Sequence, residues 1–119
     1  MPIDQKVEIS PEELFSGVLL EIQKKGTTFH PHMKKWHQAF FDAKSENPGP
    51  MEDFGVLAGD GICVYTLAEC FDEFIEKGYL SRDSEGNYSI KNPKGMRDAF
   101  PISPKVQKIA KYICDRVSF

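Results

Sequence analysis

Three histidines, His30, His32 and His37, stand close together, and three cysteines, Cys63, Cys70 and Cys114, are spread over the second half of the chain. Imidazole and thiolate are the common zinc ligands. Paired ligands on one helix face favour a spacing of four, whereas His32 and His37 are five apart, and no thiolate or carboxylate completes a zinc motif. The histidines therefore read as loop or helix surface, with no metal and no cofactor expected. A cysteine nucleophile needs a base beside it. Cys70 falls on an apolar helical stripe, and Cys63 and Cys114 read the same way, so three buried, reduced thiols are expected. Gly59-Asp60-Gly61 is too short to cradle a phosphate and reads as a turn. Asp53 with Asp60, or Glu12 with Glu13, could pair as acid and base, but nothing draws either pair into one cleft. No catalytic residues are expected, and an enzyme is not the reading.

Charge carries more information. The net charge is −3, but residues 1–90 hold eight Lys and Arg against sixteen Asp and Glu, whereas residues 91–119 hold seven against two. The body is acidic and the tail basic, which bears on partners and not on fold. Hydrophobic residues make up 40% of the 119, and the nine Phe, four Tyr and one Trp exclude a disordered chain. The length predicts one domain over 1–119. No apolar run approaches the roughly 20 residues that span a bilayer, so no membrane association is expected. Met1-Pro2-Ile3-Asp4 lacks a basic start and an apolar stretch, so no secretory signal is read and the cytoplasm is the expected location.

Helices must position these groups. Ser10-Pro11-Glu12-Glu13 supplies a cap, a first-turn proline and two acids, and Leu14, Phe15, Val18, Leu19 and Ile22 then make an apolar face that ends near Gly26. A second helix is predicted from Pro31 to about Lys44, with Met33, Trp36, Phe40 and Phe41 as its stripe. Asn47-Pro48-Gly49-Pro50 breaks it. Residues 51–64 read equally as a short helix with a turn or as a hairpin. Thr66 and Glu69 form a second capping-box pattern, followed by apolar residues at Leu67, Cys70, Phe71, Phe74 and Ile75 and a glycine stop at Gly78. Leu80, Tyr88 and Ile90 supply the inward side of a hairpin turned at Glu85-Gly86-Asn87. A helical turn over 95–100 precedes a last helix that Ser103 caps. Val106, Ile109, Ala110, Ile113 and Val117 line one face of that helix, and Lys105, Lys108, Lys111 and Arg116 much of the other.

The run TLAECFDEFIEKGYLSRDSEGNYSIKNPKG over 66–95 resembles winged-helix regulators of the MarR and PadR types, and the resemblance covers about residues 64–97. GDGICVYTLAECFDEFIEKGYL is also similar to phage-associated and antitoxin-like winged-helix proteins. The fold class expected is therefore α+β and mostly helical: a winged helix with one short β-hairpin wing and a C-terminal helix.

Two functions follow as expectations. The resemblance implies a transcription regulator that binds double-stranded DNA as a dimer. Arg82, Lys91, Lys94, Arg97, Lys34 and Lys35 would meet phosphates, with Ser81 and Asn87 as neutral donors. The apolar face of the C-terminal helix would pair with a second copy, since Val117 and Phe119 look poorly covered in one chain. The alternative is a protein–protein interaction module without DNA binding. Its surface would be Glu69, Asp72, Glu73 and Glu76, the wrong charge for a helix laid on phosphates.

Overall fold

The structure is a computed structural model that describes residues 9–59 and 61–117; Asp60 and Phe119 lie outside them. The described residues form an α+β fold of five helices and two small antiparallel sheets.

Helix α1 (Pro11–Gln23) begins with the expected reciprocal cap. The Glu13 N–H donates to Ser10 Oγ at 3.1 Å, and the Ser10 N–H donates to Glu13 Oε1 at 3.2 Å. A two-residue strand, β1 (Thr28–Phe29), follows, then α2 (Met33–Glu46). The ambiguous connector is a hairpin of β2 (Val56–Ala58) and β3 (Ile62–Val64), with Leu57 opposite Cys63. Helix α3 (Tyr65–Glu76) leads through Gly78, at φ +83°, into β4 (Leu80–Arg82) and β5 (Tyr88–Ile90). That left-handed φ is one glycine adopts without steric cost. Helices α4 (Pro93–Ala99) and α5 (Pro104–Arg116) complete the chain, α5 capped by Ser103 as expected.

The hairpin β4–β5 is not alone. Strand β1, reached from α1, pairs with β5 to give a three-stranded sheet in the order β1-β5-β4. Two residues are too few for an alternating pattern to register in sequence. The loop between β4 and β5 is organised by Asp83, whose carboxylate accepts from the backbone of Glu85 and Asn87 and from the Asn87 amide.

Helix α1 is the hub. Its Phe15 meets Phe71 and Phe74 of α3 edge-on, with ring centroids 4.9 and 4.8 Å apart. Two residues on, Gly17 faces α5 so closely that a Cβ there would lie 3.1 Å from the Ala110 Cβ and 3.3 Å from a Val106 methyl. At about 100° per residue, positions 15 and 17 point in nearly opposite directions. Helices α3 and α5 therefore flank α1 on opposite sides. A column of stacked rings, Phe40, Trp36, Phe29 and Tyr88, joins α2 to the sheet. Each such pair adds about 0.5–1.5 kcal/mol beyond its buried area.

Four expectations are corrected. Thr66 does not cap α3: the cap position is Val64, two residues earlier, without a side-chain cap, and Thr66 Oγ1 instead accepts the Gly55 N–H at 2.8 Å. Cys63 is exposed, because the alternation that turns Val64 inward turns its neighbour out. Ile75 and Met33 lie at the margins of their stripes and are 36% and 39% exposed. Val117 is buried within the single chain, and so are Val106, Ile109, Ala110 and Ile113, because α5 packs on α1 and α2. The apolar side of α5 is thus occupied without a second copy.

Candidate functional site

The outward side of α3 carries the most distinctive surface. Buried residues Thr66, Leu67, Cys70, Phe71 and Phe74 consume the inward side. The remaining positions then fall to solvent by helical geometry: Tyr65, Ala68, Asp72 and Ile75 run along the middle, at steps of three and four residues. Glu69 and Glu76 stand exposed beside them, and Glu73 is half-buried. Two members of the middle row are large apolar side chains, Tyr65 at 44% exposure and Ile75 at 36%. Three of the four acids stay free of ion pairs among the described residues. Glu73 is the exception, bound to Lys77 at 2.9 Å, and that bond raises the Lys77 pKa.

Two contacts fix how α3 begins. Thr66 holds Gly55, and the Tyr65 ring lies directly on Gly55, where a Cβ would fall 2.0 Å from the ring. The Val64 N–H donates to His37 Nδ1 at 2.9 Å. Leu57, 63% exposed, and its cross-strand partner Cys63 extend the apolar surface onto the β2–β3 hairpin that feeds α3.

The cations expected on phosphates sit in several places. Arg82 is exposed on β4, its guanidinium 5.9 Å from the centre of the Tyr88 ring. Lys91 and Lys94 are exposed just after the sheet. Lys34 and Lys35 line a depression with Arg116, at the other end of the chain. Arg97 lines a different depression with Gly17, Lys24 and Gln107. Asn87, expected as a free donor, spends its amide on Asp83.

The histidines separate as well. His30 and His32 have ring centroids 5.9 Å apart, while His37 is committed to Val64 and burial holds its pKa below the ordinary value. Among the described residues no three His, Cys, Asp or Glu side chains gather as a metal set. The Cys70 thiol is pushed up to about 12, first by burial and then by Glu12, Glu73 and Glu69. A thiol held that far from ionisation is a poor nucleophile.

Sequence reasoning found the four acids through their spacing. It missed Tyr65, Leu57 and Ile75, because an apolar residue gives no sign in sequence of which side of the core boundary it occupies. Compared with known proteins, the chain matches no family model, no curated protein and no solved structure at a significant level.

Proposed function

We propose that this chain is a winged-helix-type regulatory module that acts through protein contact, with the outward side of α3 as its docking surface for a basic, apolar-anchored segment of a partner. The order helix, strand, helix, helix, hairpin, with the early strand β1 joined to the hairpin and the small β2–β3 hairpin inserted between the second and third helices, supports the winged-helix reading. The observation that carries the function is the mixed row on α3: Tyr65 and Ile75 standing among Glu69, Asp72 and Glu76. Exposed apolar side chains set among polar ones give a protein partner something to anchor on. A phosphate backbone would meet repulsion instead, about 1 kcal/mol per carboxylate at contact distance in water.

Photo-crosslinking in cells from a benzoylphenylalanine at Asp72 tests this. A discrete protein adduct is expected, lost when Glu69 and Glu76 are reversed to Lys and kept when Arg82 is reversed to Glu. Absence of an adduct, or one indifferent to the reversal, would sink the reading.

A second reading keeps the dimeric DNA-binding regulator. Its support is Arg82, exposed on the hairpin above Tyr88. Duplex binding abolished by Arg82→Glu with Lys91→Glu, and indifferent to changes on α3, is the outcome that would favour it.

A further inference from the structure

Beyond the α3 surface, we propose a second, independent interaction site: a basic trough along the outer side of α5 that takes the phosphate backbone of a nucleic acid duplex without reading its sequence.

The trough is built from segments far apart in the chain. One depression of about 310 Å³ runs between α1 and the α4–α5 junction and holds Arg97, Lys24 and Gln107. A neighbouring one shares Lys24 and Gln107 and adds Lys108 and Lys111. A third, of about 510 Å³, shares Pro104 and Lys108 with it and adds Lys105, Asn47 and Tyr112. The shared residues place the three side by side along α5. Arg97, Lys24, Lys105, Lys108 and Lys111 are all exposed along it.

Two carboxylates border the trough, and both are engaged. Glu21 binds Lys24 at 3.0 Å, and Glu46 accepts the Tyr112 hydroxyl at 2.9 Å. Lys105, Lys108 and Lys111 have no carboxylate within ion-pair distance among the described residues. The lining holds five cations, Lys24, Arg97, Lys105, Lys108 and Lys111, against the two carboxylates, so it is net positive, and the Gln107 amide beside them can donate to phosphate oxygens.

The chemistry discriminates between partners. Protein interfaces are depleted in Lys and need a buried apolar or aromatic anchor. Among the described residues the large exposed apolar side chains are Met33, Leu57, Tyr65 and Ile75, none of them in the trough, whose own apolar lining, Leu20, Ile102, Ile109 and Tyr112, is half-buried or buried. Interfaces with nucleic acid are cation-rich and polar. The two faces also look away from each other, since α3 and α5 flank α1 on opposite sides. A duplex on α5 would leave α3 open to a protein.

The test is fluorescence polarisation with a labelled duplex of about twenty base pairs. For about four phosphate contacts, affinity should fall roughly a hundredfold between about 50 and about 200 mM salt. The variant Lys108→Glu with Lys111→Glu should weaken binding tenfold or more. Lys108→Arg with Lys111→Arg should retain it, as should Arg82→Glu with Lys91→Glu. The lysines are exposed, so circular dichroism should show an unchanged fold in every variant. Absence of salt-sensitive binding overturns the proposal. So does binding lost with the hairpin variant and kept with the α5 variant. A change of oligomeric state by light scattering in the α5 variant, with duplex binding intact, would assign the trough to the acidic face of a second copy and overturn it too.

Discussion

His37 Nδ1 accepts the backbone N–H of Val64 at 2.9 Å, joining the middle of α2 to the residue that caps α3. Val64 has no side-chain oxygen to serve the first turn, so α3 is anchored by tertiary bonds: His37 on Val64 and Thr66 on Gly55. Tyr65, the first apolar residue of the proposed docking surface, sits between those two anchors.

This bond makes stability depend on pH with a definite sign. Burial depresses the His37 pKa below 6.5, and a proton on Nδ1 would remove the acceptor. A depressed folded pKa gives stability that is present above the unfolded value and lost as pH falls below it. The urea midpoint should therefore hold steady above about pH 7 and decline as pH drops through about 6.5 and lower. His37→Gln, which does not titrate, should show a flatter profile over that interval. An identical decline in both proteins would refute the assignment.

Thr66→Val keeps the shape of the side chain and deletes the acceptor of the Gly55 N–H. The loss should be about 1–2 kcal/mol in urea unfolding. Thr66→Ser should recover most of it, which separates the hydrogen bond from packing.

Gly17→Leu should detach α5 from α1. The Cβ alone would press on Ala110 and Val106. Overpacking of this kind costs about 1–3 kcal/mol. Gly49→Ala, where a Cβ meets nothing within 4 Å, should stay within about 0.5 kcal/mol of the parent.

Ser16→Ala should stabilise the protein. The Ser16 hydroxyl is fully buried in α1 and has no hydrogen-bond partner among the described residues. Alanine removes that unsatisfied group and is the better helix former, for a gain of about 1 kcal/mol measured as a shift in the urea midpoint.

The thiols should react in a fixed order. Cys63 is exposed, while burial raises the pKa of both Cys70 and Cys114. Brief alkylation of the native protein near neutral pH should give one adduct, mapped by mass spectrometry to Cys63, and three adducts after denaturation. Early labelling of Cys70 would contradict its burial on the inward side of α3.

Local codes were readable wherever one residue satisfies its near neighbours. Ser10 with Glu13 and Ser103 with Val106 are bonds across three positions, and Gly78 needs its left-handed φ whatever surrounds it. The apolar side of α1 is equally plain, because burial recurs with the helical period. The two-residue β1 was not readable, since its existence depends on β5, about sixty residues away.

The amino-acid sequence by itself determined the helices α1, α2, α3 and α5, the Gly78 stop, the β4–β5 hairpin and the acidic identity of the α3 surface, all set by interactions within a turn or two. Only the tertiary structure decided what those pieces face. It spent the Thr66 hydroxyl on Gly55 in place of a helix cap, buried Val117 inside one chain, and turned Cys63, Tyr65 and Ile75 outward. It also brought Lys24 and Arg97 to the lysines of α5. The physical reason is that a side chain's partner is chosen by which helix packs beside it, and that choice depends on the shape of the whole core, which no local spacing records.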